Sequence, residues 1–135
     1  MDIGKIDHVT PAEQPAEMKL IDPRTGGIVL SDLDKTPVVF LVVGQDSERM
    51  RKAQREIIDR RSEAMRRGQP FTAEQQDDEA LELTVSSVTG WRGPSEEGKP
   101  ADFSPDKLRS IFKRAPAWRE QTKAFSDNRA NFIKG

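Results

Sequence analysis

The chain has 135 residues, of which 33% are charged and 34% are hydrophobic, and its formal net charge is −1. This length fits one domain with a modest core, and the near-neutral charge excludes a general attraction to nucleic acid or to anionic membranes. The absence of cysteine excludes disulfides and thiolate chemistry. With so little apolar material, we expect a partner protein to cover part of the surface.

No segment has the pattern of a targeting peptide or of a membrane span. The first residues, MDIGKIDHVT, lack the basic and apolar regions of a secretory signal. The longest apolar run, residues 37–43, is too short to cross a bilayer. We therefore expect no membrane association.

Residues 1–15 are polar and are interrupted by Pro11 and Pro15. Short polar termini of this kind are poorly ordered unless something holds them. We therefore predict a flexible N-terminal arm over residues 1–15 and a single α+β domain over residues 16–135. The strands of this domain fall in residues 16–44 and its helices in residues 46–135.

The strand-forming part predicts a small antiparallel sheet. Residues 17–22 alternate polar and apolar side chains, and residues 22–27, DPRTGG, have strong turn chemistry. Residues 28–30 return as a second strand. Residues 36–43, TPVVFLVV, are apolar on both faces, which is typical of a buried strand. We expect a β-hairpin or a three-stranded sheet with this last strand inside.

A basic helix is predicted to follow the sheet. Asp46 or Ser47 serves as its N-cap, and Gly68 ends it. Residues 45–68 carry eight basic and five acidic side chains, a net charge of +3. The apolar side chains fall on one face of this helix: Met50, Ala53, Ile57, Ala64 and Met65.

An acidic helix is predicted from Thr72 to Gly90, followed directly by Trp91. Thr72 and Gln75 fit a capping box, and Gly90 lies where a left-handed C-terminal cap is common, just before Trp91. Residues 69–90 carry five acidic and no basic side chains. A basic helix followed by an acidic one predicts antiparallel pairing within the chain, or association of copies into a homo-oligomer.

The C-terminal part predicts two more helices after a loop rich in glycine, proline and charge. Ser104 and Pro105 form a helix start, and Pro116 ends that helix or begins the next one. In the last segment Trp118, Phe125 and Phe132 recur every seven residues as an aromatic seam. The fold class is therefore α+β, a small sheet followed by a bundle of about four helices.

The seam allows two interpretations, an internal core or a docking groove for a partner helix, and both stay open.

The basic helix does not favour nucleic acid, because four acidic residues share or adjoin its basic arc. DNA binding is therefore not expected.

No pattern predicts a catalytic, cofactor or metal site. Residues 93–99, GPSEEGK, match most of a phosphate-binding loop, but Pro100 stands where that motif needs Ser or Thr. Glu96 and Glu97 would also repel phosphate. His8 is the only histidine and lies in the predicted arm.

The C-terminal half nevertheless resembles a known family. Thr89-Gly90-Trp91, a loop of Gly, Pro and acids, the helix start at residues 103–108 and the ending NRANFIKG are similar to small tail assembly chaperones of long-tailed bacteriophages. The resemblance covers residues 71–135. The strand-rich start, with its turn at residues 22–26, also looks like what precedes that half in such proteins.

The resemblance implies a non-enzymatic protein of the host cell cytoplasm. Such chaperones coat the long helical tape-measure protein, keep it soluble and help to recruit tail-tube subunits. It also implies that exposed aromatic side chains make the partner contacts; the candidates are Trp91, Phe103, Trp118, Phe125 and Phe132. The main alternative is a virion structural protein of the neck, tail or capsid.

Overall fold

A computed structural model of the protein describes residues 1–133. It confirms the α+β class, with a three-stranded antiparallel sheet and five α-helices in the described range. The elements are α1 (Val9–Glu13), β1 (Ala16–Lys19), β2 (Val39–Val42), α2 (Glu48–Arg66), α3 (Ala73–Ser86), β3 (Val88–Arg92), β4 (Ser95–Glu96), β5 (Lys99–Pro100), α4 (Pro105–Arg114) and α5 (Pro116–Asp127).

The sheet has the order β1-β2-β3, so the apolar strand β2 is central, as predicted. Its third strand was not predicted: residues 88–92 pair with β2, and the expected helix through Gly90 is wrong. The helix ends at Ser86, and the Ser87 hydroxyl donates a hydrogen bond of 2.6 Å to the Thr84 carbonyl. Pairing with β2 stacks Trp91 on Phe40 at 5.8 Å and buries apolar surface that a longer helix would leave in water.

The prediction of a strand at residues 28–30 is wrong, because these residues make only isolated bridges and lie at a three-way junction. Leu20 N–H donates to Val38 O (3.0 Å), Val29 N–H donates to Leu20 O (2.9 Å), and Val38 N–H donates to Val29 O (2.9 Å). These three bonds close a ring from which three antiparallel arms diverge. The first arm is β1 with β2, the second is the turn of residues 21–28, and the third is the turn of residues 30–37.

One face of the sheet forms the core with α3, α4 and α5. Phe40, Leu108 and Phe112 are completely buried there. The Ser126 hydroxyl of α5 donates to Val43 O at 2.8 Å and ties the last helix to the end of β2. Side chains of α5 also cover the free edge of β1, because the Gln121 amide donates to Lys19 O (2.8 Å) and accepts from Ile21 N–H (3.1 Å). This capping protects the edge from pairing with another strand.

Helices α2 and α3 pack antiparallel, which is one of the two arrangements that the charge pattern allowed. Arg61 of α2 pairs with Glu79 of α3, and the Arg49 guanidinium donates to Ser86 O at 2.7 Å. Ser47 is the N-cap of α2, and the capping box at the start of α3 is present in full.

The aromatic seam is not continuous along one helix. Helix α5 ends at Asp127, because the Asn128 side chain accepts from Ala130 N–H and starts a 3₁₀ turn. The chain then folds back, and Phe132 packs edge-on against Phe125 at 5.8 Å. The expectation of a helix through Phe132 is therefore wrong. The end of the NRANFIKG segment lies outside the described residues.

Residues 1–15 contain a 3₁₀ turn at Ile3–Lys5 and the short helix α1. Ala12 is buried, and its carbonyl accepts from Gly44 N–H at 2.8 Å. The contact holds α1 against the end of β2, while flexibility of the arm stays a prediction. Within the described range no helix combines the length and the apolarity that a bilayer crossing requires.

Candidate partner-binding surface

The five aromatic residues proposed as partner contacts all pack inward. Trp91 meets Phe103 edge-on at 5.1 Å, and its indole N–H donates to Ala101 O at 2.8 Å. The Trp118 indole N–H donates to Ile21 O at 2.9 Å. Trp91, Phe103, Trp118 and Phe125 are half-buried against the core, and Phe132 is buried. Their role as partner contacts stays a prediction; the first four keep partly exposed side chains, whereas Phe132 has almost no exposed surface.

Other apolar side chains are exposed instead. Most of them form three groups within the described residues: Met1, Ile3 and Ile6 near the N-terminus, Ile21, Ile28, Leu30 and Leu33 at the junction arms, and Ile58, Met65 and Phe71 where α2 meets α3. Within this third group, Met65 and Phe71 line a cavity, whereas Ile58 does not.

This cavity lies between the end of α2 and the start of α3, and we call it the corner groove. It has a volume of about 240 Å³. Its apolar lining consists of Ile57, Ala64, Met65, Pro70 and Phe71. Its polar lining consists of Arg60, Arg61, Gln69, Gln75, Asp78, Glu79 and Glu82. Because the basic residues come from α2 and the acidic ones from α3, the two walls have opposite charge.

Local sequence explains why the groove is open. Gly68 adopts a left-handed conformation, φ 74°, and the N–H groups of Gly68 and Gln69 donate to Met65 O and Ala64 O at 3.0 Å. This is a Schellman-type helix end. It turns the chain sharply and places Phe71 at the mouth of the groove.

Arg61 holds the two walls together. Its guanidinium bonds to Glu79 and lies 4.3 Å from the centroid of the Phe71 ring, a cation–π contact. The hydrogen bond to Glu79 raises the pKa of Arg61, so this cation stays charged. Among residues 1–133, Arg60 and Asp78 on the two walls have no ion-pair partner within 4.0 Å. The groove therefore offers one free charge of each sign beside an apolar floor.

Sequence periodicity placed Met65 on the buried face of α2, and the side chain is 62% exposed. The sequence contained a signal that Met65 would be exposed. The first seven residues of α3, AEQQDDE, contain no large apolar side chain. The end of α2 therefore has nothing apolar to pack against, although Ile57, two turns earlier, is buried.

The segment weighed as a phosphate-binding loop differs in geometry from that motif. Residues 95–100 form the β4–β5 hairpin, with left-handed Glu97 and Gly98 at its turn (φ 51° and 79°), rather than a loop at a helix N-terminus. In the part of the chain that the structure describes, no three His, Asp or Glu side chains converge as metal ligands would.

No protein-family model, no curated protein and no solved structure matches this chain.

Proposed function

We propose that this protein is a non-enzymatic tail assembly chaperone of a long-tailed bacteriophage, which binds the tape-measure protein in the host cell cytoplasm and assists tail-tube assembly. The likeness of residues 71–135 to that family suggests the role. The observation that carries the binding mode is the corner groove, an open apolar floor between two antiparallel helices.

A helix suits this groove better than an extended peptide. The groove lies between the ends of two packed helices, where a third amphipathic helix can place its apolar face. An extended peptide needs an open strand edge, and the groove is bounded by helices. The tape-measure protein is a long helical protein, so it presents many such faces.

The opposite charges of the walls orient the bound helix. The free Arg60 faces an acidic flank of the partner, and the free Asp78 faces a basic flank. Exposed pairs of this kind contribute little affinity, but reversal of the helix would place like charges together, so the pairs specify orientation.

The size of the groove predicts weak, reversible binding. A volume of about 240 Å³ holds only one or two large apolar side chains at a time. Several chaperone molecules are then needed along one tape-measure protein, and each can leave when tube subunits arrive. This matches the requirements of a chaperone that has to be released during assembly.

The test is co-expression with the tape-measure protein of the same genome. We expect the native chain to keep that protein soluble and to co-purify with it. Met65→Asp places a charge on the groove floor and should abolish both effects. Ile58→Asp is the matched control, because Ile58 is on the same helix, is similarly exposed (56% against 62%) and does not line the groove.

Equal loss in both variants would contradict the groove as the binding site. The proposed function itself would be overturned if the native chain neither kept the tape-measure protein soluble nor co-purified with it.

A virion structural protein is the second candidate, and the N-terminal residues favour it. The exposed side chains of Met1, Ile3 and Ile6 precede α1 in the sequence and are available for contact with a neighbouring subunit. Purified phage particles distinguish the two candidates. A chaperone is absent from them, whereas a structural subunit is present at fixed stoichiometry.

A further inference from the structure

The three-way junction has a second face, which points away from the core. Leu20, Val29 and Val38 point into the core from the hydrogen-bonded ring. Side chains alternate between faces along extended chain, so their sequence neighbours point outward. Ile21 and Ile28 are paired directly across one arm, and Leu30 and Pro37 across another. We call the exposed side chains Ile21, Ile28 and Leu30 the junction patch.

The patch is confined to one half of the outer face. On the other half, Arg92 pairs in register with Val39, and Glu17 with Leu41. The Arg92–Glu17 ion pair of 2.5 Å therefore spans the central strand. Val39 is only 3% exposed, whereas the three patch residues are 37–50% exposed. The protein thus covers apolar residues on one half of this face and leaves them open on the other.

The charges around the patch differ between the three arms. The first arm, with Arg92 beside it, displays Glu17, Lys19 and Arg92, a net charge of +1. The second arm carries Asp22 and Arg24, which lie 4.0 Å apart, and is neutral. The third arm carries Asp32, Asp34 and Lys35, a net charge of −1. Hydrogen bonds from the Thr36 hydroxyl and N–H lower the pKa of Asp34, so that carboxylate stays charged.

We propose that a second copy of this chain covers the junction patch in a symmetric dimer. In a two-fold interface the same surface meets itself, so the surface has to be self-complementary. A two-fold axis along the neutral second arm exchanges the first and third arms. The positive first arm of each copy then lies over the negative third arm of the other copy, so this attraction occurs twice in the dimer. The two apolar patches meet at the centre.

This surface differs from the corner groove, so the dimer does not depend on the proposed function. The charge pattern favours a second copy over an unrelated partner, because one surface carries both halves of the complementary pair. A dimer would also provide two corner grooves on one particle.

Sedimentation equilibrium of the full chain tests the dimer through charge reversal. Lys19→Glu makes the first arm negative, and Asp32→Lys makes the third arm positive. Each single change should raise the dimer dissociation constant by about tenfold, because two attractions become two repulsions of surface-pair size. The double variant Lys19→Glu/Asp32→Lys should restore dimerisation, because both arms have exchanged sign.

Leu30→Asp should give a monomer, and Ile58→Asp on α2 should leave the dimer unchanged. Circular dichroism confirms that each variant is folded, and the double variant keeps the test valid if Leu30→Asp does not fold. A native chain that remains monomeric at every concentration overturns the proposal. The proposal is also overturned if the double variant dimerises no more tightly than the single variants. A dimer that is disrupted only by Met65→Asp overturns it as well.

Discussion

Large apolar residues are buried where the sheet side of the molecule meets α4, and others are exposed at the α2–α3 corner. On the sheet side, β2 meets α4, and Phe40 packs against Phe112 at 6.2 Å with neither ring exposed. At the corner, Met65 and Phe71 are exposed beside a polar start of α3. An apolar residue is buried only where another element offers it an apolar surface. The comparison therefore predicts that the sheet side carries stability and that the corner carries binding.

The largest effect is expected on the sheet side. Phe112→Ala removes a completely buried ring from between the sheet and α4. We expect a loss of about 3–5 kcal/mol in the free energy of unfolding, measured by urea denaturation. Because small domains have little stability in reserve, the variant should be partly unfolded at 37 °C. A loss below about 1 kcal/mol would show that the ring is not part of a close-packed core.

A smaller effect is expected where α1 meets the end of β2. A Cβ added at Gly44 would lie 2.9 Å from the Ala12 Cβ and 3.1 Å from the Phe132 ring. Gly44→Ala should displace α1 and cost about 1–3 kcal/mol in urea denaturation, with faster proteolysis of residues 1–15. Gly90→Ala is the control, because its added Cβ meets only Leu41 Cδ1 at 3.6 Å. Equal stability of the two variants would contradict the close contact.

The ion pair between Asp46 and Arg129 gives a pH-dependent effect. A hydrogen bond from Arg129 lowers the pKa of Asp46 from its ordinary value of 3.8. A lowered pKa stabilises the fold at neutral pH, and this contribution is lost as the pH falls below about 4. Asp46→Asn should therefore cost up to about 1 kcal/mol at pH 7. The difference in the free energy of unfolding between the variant and the native chain should shrink when the urea titrations are made at pH values falling toward about 3. A difference that does not change with pH would contradict the Asp46–Arg129 ion pair as its cause.

The smallest effect on stability is expected at the corner. Met65→Asp changes an exposed side chain, so the free energy of unfolding should stay within about 0.5 kcal/mol of the native value. Under the function that we propose, the same variant should abolish binding of the tape-measure protein. A large loss of stability would show that Met65 packs more tightly than its exposure indicates and would remove the contrast between the two regions.

The starts of α2, α3 and α4 were readable from local sequence chemistry, whereas the strand pairing of residues 88–92 was not. The Thr72–Gln75 capping box, the Ser47 cap and the Ser104–Pro105 helix start each involve residues within four positions, and the structure has all of them. Residues 88–91 fit a helical period as well as a strand. The partner that decided between them, β2, lies about fifty residues away in sequence. The same limit explains why the ring of Leu20, Val29 and Val38 was not foreseen.

By itself, the sequence determined the fold class, the starts of α2, α3 and α4 and the buried apolar strand, and it limited the pairing of the basic and acidic helices to two alternatives, within the chain or between copies. These features follow from short-range hydrogen bonding and from the distribution of charge and apolar residues. Only the tertiary structure decided that the aromatic residues are packed inward and that Met65, Phe71, Ile28 and Leu30 are exposed. The reason is that burial depends on which surfaces meet, and chain segments far apart in sequence supply those surfaces.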